Sequence, residues 1–448
     1  MVARPDAASA AVTVAAVARG EWTNWAGNQR CRPAAVERPR TEDEVVALVG
    51  RAAAEGRRVK VVGSGHSFTD LATTDGVLVD LRHLVGVVRF DAARCQVTVR
   101  AGTTLAELNR RLAERGVALP NLGDIAYQTV AGATSTGTHG TGRRFGNLST
   151  GITGFRLVDG HGDVRVATAE RDPELLAVGR VGLGALGVLT ELTLQCVPAF
   201  NLHAVEEPQR VDAVLADWEE IFDRHDHFEF FWVPNTGWAL TKRNDRTTEG
   251  VQPRPRWVRW RNQVLYDNLA FGAANRVARW RPSATRRLGR ALPSAGRVEY
   301  TEPSARVFAS PRLVRFYEME YAIPVAAVPE ALDRVRAFVA EEQLPLLFPV
   351  EVRAVAADDI PLSPAHGRDT GYLAVHVYRS MPFERYFEGV EAIMGGYGGR
   401  PHWGKLHFLD AADLAPRYPQ WERFQAVRDR LDPDRRFANA HLERVLGA

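Results

Sequence analysis

The run Val62-Gly-Ser-Gly-His66-Ser-Phe-Thr-Asp70, at the end of a basic-apolar strand pattern from Arg57 to Val62, constrains this chain more than any other feature. Its glycines let the backbone turn tightly and present amide N–H groups to an anion. The third glycine of a G-x-G-x-x-G dinucleotide fingerprint would fall at Phe68, so the run is not that motif. It has no Gly-Lys-Ser/Thr of a nucleotide-triphosphate loop, and Thr69 stands where a serine nucleophile elbow needs glycine. A second run, Val130-Ala-Gly-Ala-Thr-Ser-Thr-Gly-Thr-His-Gly-Thr-Gly142, is made almost wholly of small residues. It reads as a loop that fills no core but wraps closely around an extended cofactor. Two phosphate-type loops, with strands and a helix between them, point to one phosphate-bearing ligand.

Those intervening elements are legible. Val77–Leu81 and Gln96–Arg100 alternate like half-buried strands, and Leu105–Leu112 carries apolar residues at helical spacing behind Thr103-Thr104. Strand patterns follow at Ile152–Val158, Val164–Ala167 and Gly187–Val197. At 448 residues the chain exceeds what one core serves, so two domains are expected, the first ending near Pro198. In the second half, helical patterns at Val211–Phe222 and Pro329–Glu342 mix with strands at Pro349–Val355, Tyr372–Arg379 and His402–Phe408. Residues 251–300 carry eleven arginines against Asp267 and Glu299, with Trp257, Trp260 and Trp280 among them. This segment reads as a solvated helical excursion whose tryptophans pack inward, the alternative being a surface for an anionic membrane or a partner.

Composition excludes several classes. A net charge of +3 is too small for a nucleic-acid partner. Cys31, Cys95 and Cys196 are odd in number and far apart in sequence, which suggests neither a disulfide framework nor a metal site and fits a reducing cytoplasmic compartment. The Ala-rich residues 1–20 read as disordered rather than as a signal peptide. No run approaches the ~18 apolar residues of a transmembrane helix. The His225-Asp-His227 cluster lacks a second ligand pair and reads as a loop. Lys60, Lys242 and Lys405 are the only lysines among 57 basic residues, so each is a candidate for a task needing a compact ammonium. Lys60 and Lys242, in Arg-rich or turn-like contexts, read as chance survivors.

Gly63-Ser-Gly-His-Ser67, Pro120-Asn-Leu-Gly123, Gly137-Thr-His-Gly-Thr-Gly142 and Leu192-Thr-Leu-Gln-Cys-Val-Pro198 together resemble the aldonolactone oxidases. So do Phe348-Pro-Val-Glu-Val-Arg353, Gly398-Gly-Arg-Pro-His-Trp-Gly-Lys-Leu-His407 and Leu431-Asp-Pro-Asp-Arg-Arg-Phe-Ala-Asn439. These are the gulonolactone and arabinonolactone oxidases of the vanillyl-alcohol-oxidase superfamily, to which the alditol oxidases are also similar. The resemblance covers the chain from Trp25 to the C-terminus except residues 251–300. It implies an α+β fold with a PCMH-type FAD-binding domain at 21–200, an α/β cap at 201–410 and a segment at 411–448 that returns to the first domain.

The same resemblance implies a flavin bonded at its 8α position to His66. A covalent bond keeps the cofactor in place and makes it a stronger oxidant. The residues expected around FAD are Val61, Val62, Gly63, Ser64, Gly65, His66, Ser67, Gly123, Asp124, Thr129, Gly132, Ala133, Thr134, Ser135, His139, Gly142, Val188, His402 and Lys405. Glu351 and Arg353, two apart on a strand between apolar residues, share one face and are expected to grip substrate hydroxyls. Lys405 is expected to stabilise charge at flavin N1 and the C2 carbonyl, and His376 to face substrate. Gly123 favours O2 as electron acceptor, with hydrogen peroxide as product. Asp124 stands where alditol oxidases carry serine. The expected substrate is an aldono-1,4-lactone, with an alditol as the alternative. A dehydrogenase passing electrons to a quinone or cytochrome, and a flavin-less binding protein using residues 251–300, are the other readings.

Overall fold

The computed structural model describes residues 16–18, 20–255, 271–281, 285, 287, 296–309, 314–379 and 381–448. The expectations for residues 1–15, Trp257 and Trp260 fall outside the described residues.

Short parallel strands open the first lobe: β1 (Ala35–Glu37), then α1 (Glu42–Ala54), β2 (Val59–Val62) and β3 (Val77–Asp80), ordered β1-β3-β2. Parallel strands need a crossover, and α1 supplies one, with Thr41 accepting from the Glu44 amide as its N-cap. An antiparallel sheet follows, built from β4 (Val87–Asp91), β5 (Gln96–Arg100), β6 (Ile152–Val158), β7 (Val164–Thr168) and β8 (Val188–Gln195) in the order β7-β6-β8-β5-β4. In β8 buried and part-buried residues alternate without a break, as a half-covered sheet requires. Between these strands lie α2 (Leu105–Ala113) and α3 (Val130–Ser135).

The second lobe is one eight-stranded sheet. Its strands are β9 (Asn201–Arg210), β10 (His227–Trp232), β11 (Trp238–Thr247), β12 (Val298–Pro303), β13 (Phe316–Pro324), β14 (Val350–Val355), β15 (Thr370–Tyr378) and β16 (Arg400–Pro401), ordered β12-β9-β11-β10-β14-β15-β13-β16. Phe228, Phe230, Val350, Val352, Leu373, Val375, Met319 and Tyr321 face one side. There they pack on helices that include α4 (Val211–Ala216), α5 (Trp218–Arg224), α6 (Val328–Glu341) and α7 (Glu384–Gly395). The residues alternating with them face the first lobe. The C-terminal helices α8 (Trp421–Leu431) and α9 (Ala440–Leu446) join the first lobe's core, as do Ile360, Leu362 and Trp403 from within 201–410. The Asn439 amide fastens this return by donating to the carbonyls of Asp70, Leu71 and Thr73.

Several expectations are corrected. Ala16–Ala18 is a strand paired with Glu21–Thr23, so order begins before residue 20. The Val130–Gly142 run is not all loop: Thr129 caps the Gly132 amide, Val130–Ser135 is helical, and Val130 and Ala133 are core residues. Val211–Phe222 breaks at Asp217 into α4 and α5. His402–Phe408 is a turn rather than a strand, because His402 Nδ1 accepts from the Gly404 amide while the Lys405 amide bonds to the His402 carbonyl. His227 is the buried first residue of β10, stacked on Phe145, and only His225 and Asp226 are loop. Trp280 ends the helix Phe271–Trp280 at 84% exposure, so it does not pack inward.

Candidate active site

A solvent-open cleft runs along the first lobe, between the end of β2 with the Gly63–Ser67 loop, the Thr129–Thr136 helix and the Leu183–Leu189 segment. The glycines here fit a cradle. Gly65 has a φ of +68°, which strains any residue with a side chain, and a Cβ on Gly63 would stand 2.3 Å from Thr129 Oγ1. Val61, Val62, Gly63, Ser64, Gly65, His66, Ser67, Thr129, Gly132 and Ser135 line the cleft. His66 lies against Trp25 with ring centroids 5.5 Å apart, and its Nε2 is buried without a hydrogen-bond partner. Burial, with the Lys405 ammonium near by, pulls its pKa down to about 4, so the imidazole is neutral at neutral pH. An unsatisfied ring nitrogen beside a glycine-walled cleft fits a flavin dinucleotide.

Other residues expected around FAD do not line this cleft. Ala133, Thr134 and Val188 are buried in the first lobe, with Thr134 Oγ1 donating to the Val130 carbonyl. Gly142 donates its amide to Ala354 and abuts Asp226 and His227, at the junction of the two lobes. A methyl on Gly123 would point at the His139 carbonyl, 3.1 Å away, so glycine here serves close packing of two loops.

The first-lobe side of the large sheet carries a band of buried charge set by strand register. Opposite Glu229 on β10 stands Arg353 on β14, with Arg353 Nε donating to Glu229 Oε2 at 2.7 Å. Arg353 Nη2 also pairs with Glu351, its neighbour two residues away. Lys242 Nζ lies 3.6 Å from Glu229 and 4.8 Å from the centre of the Phe231 ring. On β13, Glu318 and Glu320 face the same way, and the Lys405 ammonium pairs with Glu318 and stands 3.9 Å from Glu320. His376, opposite Glu318 in the β13–β15 ladder, has Nδ1 3.0 Å from the Pro349 carbonyl and Nε2 3.4 Å from Glu318. His139 stacks on Tyr372 at 3.7 Å with its Nε2 3.4 Å from Glu320, and the His402 ring is 5.9 Å from it.

Electrostatics divide the carboxylates. Burial disfavours charge on all of them, but Lys405 and His376 hold Glu318 down to about 2. His139 and Lys405 likewise hold Glu320 well below the usual range. Glu351 goes the other way: burial, with Glu229 and Asp124 close by, outweighs Arg353 and raises it. Lys405 is raised despite its burial, because Glu318 and Glu320 favour its charge. Burial holds His402 down to about 3, a neutral ring. The clusters His139–Glu320–His402 and Glu318–Glu351–His376 bring donor atoms within 4.8 Å, as a metal would need. Glu318 and Glu320 are already matched to Lys405 and the histidines as ion pairs.

Sequence reasoning missed Glu229, Glu318 and Glu320, and misread two lysines. Glu318-Met-Glu320 inside an otherwise apolar strand was the available signal, because two carboxylates on one buried face require partners. Lys242 belongs to the Glu229–Arg353 group. Lys60, read as a chance survivor, is 2% exposed, lines the cleft and donates to the Phe437 carbonyl at 2.9 Å.

The turn that holds Lys405 meets the cleft directly, since the Phe68 amide donates to the Gly404 carbonyl at 2.8 Å. The charged band and the histidine end of the cleft therefore form one site between the lobes.

Comparison with known proteins agrees with this geometry. Residues 33–168 match the FAD binding domain model, and residues 192–445 match the D-arabinono-1,4-lactone oxidase model. The chain is 47% identical to an L-gulono-1,4-lactone dehydrogenase of Mycobacterium tuberculosis, covering 95% of this chain and 99% of the other. It is 34% identical to an L-gulonolactone oxidase of Scyliorhinus torazame, covering 95% and 98%. A solvent-stable cholesterol oxidase shares the fold at a TM-score of 0.82 and 19% identity over the full length of both chains. With the arabinonolactone oxidase model spanning more than half of its length, the chain belongs to the D-arabinono-1,4-lactone oxidase family, FAD-binding oxidoreductases that act on CH–OH groups.

Proposed function

We propose that this protein oxidises a ring carbinol of an aldono-1,4-lactone, using FAD bonded covalently to His66. The observation that carries the reading is the placement of buried Glu351 and Arg353 and part-buried Lys405 beside the histidine end of the cofactor cleft. The names of the relatives supply the lactone. FAD, when bound, supplies the acceptor for the carbinol hydride. Arg353 donates to a lactone oxygen from a fixed position, because Glu229 and Glu351 hold its guanidinium. Glu351 accepts from the substrate hydroxyl and takes its proton, being the carboxylate whose surroundings leave it most basic. His376 orients rather than accepts, since both ring nitrogens already face Pro349 and Glu318. Lys405 presents an ammonium where negative charge grows during the reaction. The neutral His66 ring, with a nitrogen unsatisfied, supports the covalent link. Three free cysteines support a cytoplasmic setting, and among the described residues no helix is long and apolar enough to cross a membrane.

Purified protein incubated with L-gulono-, D-arabinono- and L-galactono-1,4-lactone should bleach its flavin absorbance anaerobically. Absence of bleaching with all three, while an alditol such as xylitol bleaches it, would exclude the lactone reading. A second reading, in which an electron carrier replaces O2, is favoured by the dehydrogenase named at 47% identity. Gly123 does not decide against it, because the space there is taken by the His139 carbonyl. One peroxide per lactone oxidised in air establishes the oxidase. Turnover with a quinone analogue or cytochrome c, without peroxide, establishes the dehydrogenase.

A further inference from the structure

Lys60 is the only Lys or Arg among the described residues that line the cofactor cleft. Its side chain is buried, and Nζ donates to the Phe437 carbonyl at 2.9 Å. An ammonium has three N–H donors, and among the described residues this carbonyl is the one acceptor it meets. Asp432 favours its charge, but the two oxygens of Asp432 already accept from the Arg436 and Phe437 amides. A buried cation with so few partners is costly unless something else completes its surroundings. The ammonium reaches the cleft wall: a Cβ on Gly184, which lines the same cleft, would stand 4.0 Å from Lys60 Nζ.

We propose that the Lys60 ammonium anchors the ADP half of FAD, with one N–H held by Phe437 and the others donated to phosphate or ribose oxygens. The inference rests on FAD binding with its flavin ring at the His66 end, and not on the lactone or on the covalent bond. Lys60 precedes Gly63 by three residues, roughly 10 Å along β2. A flavin ring at His66 therefore leaves the other half of the dinucleotide to meet Lys60. The amides of the Gly63–Ser67 loop attract phosphate as dipoles, and Lys60 adds a full opposing charge. Burial draws the Lys60 pKa down to about 7 against the pull of Asp432, and Arg428 on α8 acts in the same direction as burial. His441 on α9, whose ionisation feels Lys60, is itself pulled down by burial. Below about pH 7 the apoprotein already carries the ammonium, and affinity for FAD is at its full value. As pH rises through 7, binding must take up the proton, and Kd rises by up to about tenfold per pH unit until the pKa of the loaded cleft is reached.

His66→Ala protein from riboflavin-starved cells supplies full-length apoprotein, which is titrated with FAD by fluorescence quenching from pH 6 to 9, with and without Lys60→Met. At pH 6 the double variant should bind FAD about tenfold more weakly or worse. Its Kd should stay level with pH, while that of His66→Ala rises to meet it by pH 9. Should the double variant not fold, proton uptake by His66→Ala decides: FAD added at pH 8 in weak buffer should take up about one proton, followed with phenol red. Equal Kd values at pH 6 overturn the proposal, as does binding without proton uptake. So does a weaker Kd whose pH slope matches that of the single variant, because Lys60 would then act only as a strut for Phe437. Failure of both proteins to bind FAD at any pH would remove the FAD reading together with this one.

Discussion

Arg353 Nε donates to Glu229 Oε2 at 2.7 Å, an ion pair between buried side chains on neighbouring strands that also pins the guanidinium against Glu351. Without Glu229, Arg353 keeps its charge but loses the contact that fixes its plane. Glu229→Gln should therefore lower kcat/KM about tenfold, equivalent to ~1.4 kcal/mol, mostly through KM. Glu229→Ala leaves a buried cation half-paired and should cost roughly 3–5 kcal/mol of stability. Steady-state kinetics and urea unfolding check the two variants, and unchanged values for both would leave Glu229 without a role at the site.

Lys405 is flanked by Glu318 and Glu320, and a neutral side chain there strands two buried carboxylates. Lys405→Met should keep its FAD yet slow anaerobic bleaching of the flavin by lactone about 10²-fold, the scale expected for losing one preorganised electrostatic contact. Stopped-flow absorbance reads this directly. Bleaching at the parent rate would remove Lys405 from the reaction.

If His66 carries the flavin, the parent protein should show a fluorescent band at full chain length after denaturing electrophoresis. His66→Ala should show none, its yellow colour extractable by acid. Fluorescence that survives the substitution would place the bond on another residue.

His227 and His402 are buried and held neutral, at about 4 and about 3, by burial. Their unfolded values lie near 6.5. Above pH 6.5 neither state binds these protons, and the stability is fully present. As pH falls below 6.5 the unfolded chain takes them up first. Stability should then drop by up to ~1.4 kcal/mol per pH unit for each histidine until their folded values are reached. Urea midpoints of the apoprotein at pH 7.5, 6 and 5 measure the slope, and His227→Gln should reduce it. A rise in stability between pH 7.5 and 5 would contradict the assignment.

Short-range pattern carried much of this protein. The glycines around His66 announce their turn because the left-handed backbone conformation at Gly65 is one that glycine adopts at least cost. Gln96–Arg100 and Ile152–Val158 matched their strands to the residue, since alternation along a half-covered strand needs no knowledge of its neighbours. Glu351 and Arg353 were conspicuous for the same reason, as charge on an apolar strand. Ala133 and Val188 show the limit: a motif names a stretch, and which of its side chains turn to the cleft depends on the packing of one short helix and one strand. Glu229, Glu318 and Lys242 gain meaning only through register, which sets Glu229 against Arg353 and Glu318 against His376 from distant parts of the chain. Backbone conformation and side-chain alternation are local and can be read along the chain; the charge partners of a buried site are chosen by strand order, and that order exists only once the sheet is assembled.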